Sequence, residues 1–193
     1  MLAQLVSAFA LSSFAVAAAA PLQHGSVELT GELTHVDSTA FPSGAVQVGG
    51  LASVRIRLDL SIPPDNAGFD SLNYRTISTG NRIQLDDRQI LGPTPSIQTN
   101  LLVVDGQGVL PDSMTFEQSA RNLSGSSFTD GRAFLFVDGS SSSVWSSPDL
   151  TTFPGYLALG APGGPRAILS VYDDFNIEVA TAVFSALEVD VSG

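Results

Sequence analysis

Apolar and polar residues alternate one by one along several stretches of this chain. The alternation is clearest in residues 25–37 and in residues 52–62, where Val54 and Ile56 alternate with Arg55. Because successive side chains of a β-strand point to opposite faces, such a stretch predicts a strand packed on a core through one face and wet on the other. No stretch after residue 20 has a sustained helical period, so the pattern predicts an all-β protein.

Nine further stretches are predicted as strands, and they span residues 71–77, 82–85, 97–104, 113–117, 132–137, 156–159, 167–172, 175–179 and 182–191. Turn-forming pairs such as Asp105-Gly106 separate them at short intervals. Residues 63–66, Pro-Pro-Asp-Asn, are predicted to end the second strand. Many short strands with regular turns predict a single antiparallel β-sandwich or jelly-roll-like domain over residues 21–193.

Two of the predicted strands contain runs that are apolar at every position. Residues 101–104 read Leu-Leu-Val-Val, and residues 134–137 read Phe-Leu-Phe-Val. A short continuous apolar run is typical of a strand covered on both sides. These two segments are therefore predicted to be central strands buried on both faces.

The first 20 residues, MLAQLVSAFALSSFAVAAAA, contain no charged side chain and are predicted to form an apolar leader helix. A short apolar stretch that ends in small residues just before Pro21 is typical of a secretory signal peptide, although this one has no Lys or Arg near its start. The alternative is a leader helix that is retained and packs in a filament. The signal-peptide interpretation predicts a secreted, extracellular or cell-surface protein.

Charge and composition exclude several classes of protein. Eight basic residues, all Arg, stand against 19 acidic residues, which gives a net charge of -11. The sequence lacks the basic stripe that nucleic acids or anionic membrane surfaces require, so neither is a predicted partner. Cysteine is absent, which excludes disulfide scaffolds and cysteine-based metal sites. Since residues 1–20 are uncharged, the whole acidic excess falls on residues 21–193, as expected for a solvated exterior.

The sequence also lacks the usual signs of catalysis. A serine hydrolase needs an activating histidine, but only His24 and His35 are present, and there is no Gly-x-Ser-x-Gly elbow. His35 falls in the inward register of the first strand, where a partly buried, hydrogen-bonded histidine is expected. Only five Glu residues occur, without the spacing of a glycan-cleaving pair. The chain is therefore predicted not to be an enzyme.

Two kinds of binding site remain as hypotheses. Trp145 lies in the Ser-rich stretch 140–147, where burial is difficult, and with Tyr156 it is a candidate for contact with a carbohydrate ligand. Asp173, Asp174 and Asn176 concentrate oxygen ligands between two predicted strands, which makes them a candidate calcium site. No other cofactor is predicted.

Four stretches of the chain resemble the passenger domains of bacterial PEP-CTERM proteins. They are the leader, GSVELTGELTHVDS, FEQSARNLSGSSFTDGRAFLFVDGSS and the closing FSALEVDVSG. The Val-Pro-Glu-Pro tail, apolar helix and basic cluster of that family do not occur in this sequence. The resemblance implies export and a role in extracellular matrix or polysaccharide, without a common activity.

The leading hypothesis is an exported structural or adhesive extracellular β-sandwich without catalytic activity. Extracellular matrix or polysaccharide would be its partner, and self-association is a further option. The alternatives are a carbohydrate- or calcium-binding extracellular module, and a subunit of an extracellular filament that retains its N-terminal helix.

Overall fold

The computed structural model describes residues 24–68, 70–90, 99–106, 111–121, 126–127, 130–139 and 144–191, to which all structural statements here refer. Within them it contains twelve β-strands and two 3-10 turns, η1 (Ser78–Gly80) and η2 (Leu150–Thr152). The strands are β1 (His24–Val36), β2 (Leu51–Asp59), β3 (Asp65–Gly68), β4 (Ser71–Arg75), β5 (Arg82–Leu85), β6 (Arg88–Ile90), β7 (Asn100–Val104), β8 (Ser113–Arg121), β9 (Asp130–Asp138), β10 (Tyr156–Ala158), β11 (Arg166–Tyr172) and β12 (Glu178–Asp190). The all-β class is confirmed, whereas the leader, residues 1–20, lies outside the described residues.

The twelve strands form one antiparallel sheet. Eleven of them follow the order β3-β4-β7-β8-β9-β11-β12-β1-β2-β5-β6, and β10 pairs with β12 beside this path. The two 13-residue strands, β1 and β12, pair with each other at the centre. Because β1 pairs with both β2 and β12, outward side chains of these three strands lie side by side on one surface.

The sheet bends round until strands from its two halves meet. Buried side chains of β1 and β2 belong to the same apolar cluster as those of β7 and β8. An isolated bridge joins Leu58 to Thr76, and the Ile77 amide donates to the Arg57 carbonyl at 2.8 Å. Thr76, Thr99 and the Asn81 amide form a buried polar network at this junction. The sheet therefore has an inner face, which encloses the core, and an outer face.

The prediction of two strands buried on both faces is wrong. Phe134 and Phe136 are 36% and 37% exposed, and Leu102 and Val104 are only partly buried. Leu135, between the two phenylalanines, is 1% exposed. Because one sheet encloses one core, only alternate residues of each strand are covered, even where the sequence is apolar throughout.

Two local predictions also differ from the structure. β3 begins at Asp65, inside the stretch that was expected to be a turn. Segments 175–179 and 182–191 were predicted as two strands, but β12 is a single strand that begins at Glu178. The Asp173 carboxylate accepts the amides of Phe175 and Ile177, and this contact makes residues 173–177 a turn.

His35 is exposed rather than facing the core. The pairing of β1 with β12 shifts register between Leu33 and His35. Such a bulge inserts an extra residue and reverses the alternation that the sequence predicts beyond it.

Candidate functional site

Five neighbouring strands carry a continuous row of polar side chains on the outer face of the sheet. Along the row, each residue pairs directly with the next: Tyr156 (β10), Glu188 (β12), Glu28 (β1), Arg55 (β2) and Arg82 (β5). Directly paired residues of antiparallel strands project from the same face. With strands roughly 4.8 Å apart, the row extends for about 19 Å.

The inner face beneath this row is apolar at every strand. Leu157, Leu187, Leu29, Val54 and Ile83 each lie next to a member of the row and pack on or within the core. The polar row therefore stands on a rigid, well-packed support. A sheet surface with such support can present side chains in fixed positions to an extended ligand.

A second, shorter row runs beside the first. Asp190 pairs with Ser26, and Ser26 pairs with Arg57. Together with His24, Gly25 and Arg55, these residues line a shallow depression of about 310 Å³. We refer to the outer surface formed by Tyr156, Glu188, Asp190, Ser26, Glu28, Arg55, Arg57 and Arg82 as the polar face.

Arg55 and Glu28 form an ion pair in the middle of the polar face. Arg55 donates from Nε and Nη2 to Glu28 Oε1, at 2.8 Å and 2.7 Å. Ser26 Oγ donates to the same oxygen at 3.4 Å. The two charged side chains are 55% and 40% exposed, so the pair contributes little to stability and serves mainly to fix the orientation of both groups.

Arg57 is positioned through its backbone and its aliphatic stem. Its amide donates to Asn81 Oδ1 at 2.9 Å, which ties β2 to the buried network of Asn81. A Cβ at position 80 would lie 2.3 Å from Arg57 Cδ, so Gly80 leaves room for the arginine stem over η1. Within the described part of the chain, neither Arg57 nor Arg82 forms a side-chain hydrogen bond or ion pair.

The structure separates the two aromatic residues that were predicted to bind a ligand. Tyr156 is 56% exposed and lies at one end of the polar face. Trp145 is 4% exposed, so the expectation that its Ser-rich surroundings would leave it exposed is wrong. Its Nε1 donates to the Val104 carbonyl at 3.0 Å, and its ring packs on Phe153 with centroids 5.7 Å apart. An indole enclosed in this way offers no face on which a sugar could stack.

Asp112 holds the backbone beside the buried Trp145, and the sequence pattern gives no sign of this role. Asp112 is 1% exposed, and its carboxylate accepts the amides of Gly106, Val144 and Trp145. The backbone around Trp145 is thus held by a buried acceptor. Without knowledge of this contact, Asp112 reads as one more turn-forming acidic residue.

The three residues of the predicted calcium site lie together in the turn between β11 and β12. The Asp173 carboxylate accepts two amides of its own turn, and Asp174 Oδ1 accepts the Asp130 amide at 3.0 Å. Arg132 Nη2 donates to Asn176 Oδ1, which places a positive charge beside the oxygens. The described residues contain no group of three or more His, Asp and Glu side chains suited to a metal ion. The contacts favour a structural role, and calcium binding stays a prediction.

The polar face could be predicted from the sequence only in part. The outward direction of Arg55 and Arg57 follows from the alternation in 52–62. The sequence gives no sign, however, that Arg82 lies opposite Arg55, or that Glu28 and Glu188 are neighbours. The fold thus gathers three of the eight arginines on two adjacent strands, although the sequence has no basic run.

The chain is an antiparallel all-β protein with a polar row across its outer face. Comparisons with models of protein families, with curated proteins and with solved structures find no match to it. Among the described residues, no helix has the length and apolar character needed to cross a membrane.

Proposed function

We propose that this chain is a non-catalytic, exported adhesive protein that binds extracellular polysaccharide through the polar face. The observation that carries the proposal is the row from Tyr156 to Arg82. An exposed aromatic ring provides an apolar surface for a sugar ring, and the charged groups beside it accept and donate hydrogen bonds to hydroxyls. The length of the row, about 19 Å, suits a polymer better than a single small molecule.

The arrangement of the carboxylates supports binding rather than hydrolysis. Glycoside hydrolases hold two carboxyl groups on either side of the bond that they cleave. Glu28 and Glu188 instead stand side by side on one face, and Glu28 is tied to Arg55. A glycan lying on this surface would touch both groups from the same side.

We further infer that the bent sheet packs as a two-layer sandwich, with the polar face on the outside of one layer. The shared apolar cluster and the bridge between Leu58 and Thr76 support this arrangement. The proposal of export and an extracellular location rests on the leader and on the acidic excess of residues 21–193, which suits a solvated exterior.

The test is a binding survey of the full-length protein, on a glycan array and in pull-downs with insoluble polysaccharides. We expect selective retention by at least one polysaccharide, weakened by Tyr156→Ala because the exposed ring is lost. Phe175→Ala is the matched control, since Phe175 is 85% exposed but lies in the turn before β12. Absence of binding to every glycan would refute the proposal, as would release of reducing ends during incubation.

A further inference from the structure

Three arginines lie next to one another on the polar face. Arg55 and Arg82 are direct cross-strand partners, and Arg57 lies two residues from Arg55 on the same face of β2. Like charges placed directly opposite each other destabilise a sheet unless a counter-charge is present. Glu28 supplies that counter-charge for Arg55 alone.

The other two guanidinium groups are left to solvent. Arg57 and Arg82 have no ion pair with the described residues, and Gly80 and Asn81 hold Arg57 in place. Exposed guanidinium groups without a carboxylate partner are typical of a surface that receives an anionic group.

On the basis of the proposed function, we infer that the ligand is an acidic polysaccharide, whose carboxylate or sulfate groups bind Arg57 and Arg82. The opposite half of the polar face is acidic, with Glu188 next to Tyr156 and Asp190 two residues further along β12. Carboxylates there accept hydrogen bonds from sugar hydroxyls, while the guanidinium groups bind the anionic substituents. A glycan with both kinds of group matches both halves, whereas a simple polyanion matches only one.

The net charge of -11 does not prevent this binding. At physiological ionic strength, charges separated by more than about 8 Å are largely screened in water. Three strand spacings, roughly 14 Å, separate Glu188 from Arg82, and two spacings, roughly 10 Å, separate Asp190 from Arg57. The ligand's anionic groups therefore interact mainly with the arginines beside them, and the affinity should be modest.

The experiment compares dextran, dextran sulfate and alginate as probes for the full-length protein, with affinities measured by biolayer interferometry. Dextran sulfate and dextran share a backbone, and alginate separates carboxylate from sulfate recognition. We expect binding to one or both acidic polymers and none to dextran. The double variant Arg57→Gln/Arg82→Gln should weaken binding about tenfold or more, since each exposed charge-assisted contact contributes a few-fold. Higher salt should weaken it as well.

Arg132→Gln/Arg166→Gln is the control, because it removes two exposed arginines of β9 and β11 and changes the net charge equally. Equal losses in both double variants would overturn the inference, because net charge alone would then explain the binding. If the protein binds dextran and the double variant Arg57→Gln/Arg82→Gln binds it equally well, the inference of an acidic ligand is overturned, while the proposed function stays intact. Failure to bind any polysaccharide would overturn both. Melting temperatures close to wild type confirm that the variants are folded.

Discussion

Asp112 and Tyr74 are two residues whose polar groups are buried and fully used by the fold. Asp112 accepts three backbone amides, and the Tyr74 hydroxyl donates to the Pro148 carbonyl and accepts the Leu150 amide. Both side chains bind the segment 144–150, which has almost no regular structure of its own. Buried side-chain acceptors thus take the place of strand pairing there.

Asp112→Ala should lower the free energy of unfolding by about 3 kcal/mol or more. The substitution leaves three amides without their acceptor, and each buried unsatisfied group costs about 1–3 kcal/mol. Urea unfolding followed by the fluorescence of Trp145, the single tryptophan, measures the loss. The control is Asp174→Ala, which removes the acceptor of one exposed amide and should cost less than about 1 kcal/mol. Equal losses in the two variants would show that Asp112 does not hold the segment.

Tyr74 makes the stability of the protein sensitive to alkaline pH. Burial, with a smaller contribution from the charge of Asp149, raises the pKa of Tyr74 to about 12, against an ordinary value of about 10. The unfolded chain therefore loses this proton near pH 10, while the folded protein keeps it until about pH 12. The stabilisation by neutral Tyr74 is fully present below pH 10 and is lost as the pH rises towards about 12.

Tyr74→Phe should consequently be less stable than the wild type below pH 10, by roughly 1–2 kcal/mol, because the Leu150 amide loses its acceptor. The gap should narrow between pH 10 and 12, where the wild type loses stability and the variant does not. Thermal unfolding of both proteins across this range measures the gap, with Tyr156→Phe as the exposed control. A stability difference between wild type and Tyr74→Phe that stays constant with pH would contradict the raised pKa of Tyr74.

At the scale of single elements, the alternation of apolar and polar residues predicts the strands well. β5 occupies the predicted residues 82–85, and β1 and β2 differ from prediction by a few residues. The errors fall where a tertiary contact outweighs the local pattern. The turn at residues 173–177 depends on the Asp173 carboxylate, and the exposure of His35 depends on a bulge. Apolar outer residues such as Phe136 cannot be distinguished from core residues without knowing which face is covered.

The two faces of β9 should therefore respond very differently to truncation. Leu135→Ala should cost about 2–5 kcal/mol, because Leu135 is 1% exposed and its removal leaves a cavity. Phe136→Ala should cost less than about 1.5 kcal/mol, since the ring is already 37% exposed and only part of its area is buried. Urea unfolding of the two variants compares the faces. A larger loss for Phe136 would mean that another layer covers the outer face.

For the molecule as a whole, the closure of the bent sheet and the geometry of the polar face depend on some of the same residues. The buried side chains of Thr76, Asn81 and Thr99 connect the ends of β2, β4 and β7. The side-chain oxygen Oδ1 of Asn81 also accepts a hydrogen bond from the backbone amide of Arg57, whose guanidinium group is proposed to bind the anionic ligand. This dependence could not be foreseen, because the register that brings residues 57, 76, 81 and 99 together is not encoded in any local pattern.

Asn81→Ala should therefore affect both sides of the junction. The Arg57 amide and the two threonine hydroxyls lose a partner, so we expect a loss of about 2–3 kcal/mol in the free energy of unfolding. Hydrogen exchange should speed up in β2 near Leu58 and also in β4 near Thr76, because the bridge between them depends on this network. Gln84→Ala is the control, since its amide contacts only the Asp86 carbonyl of the neighbouring turn. If faster exchange stays confined to residues 78–82, the two halves of the sheet close without Asn81, and the core alone holds them together.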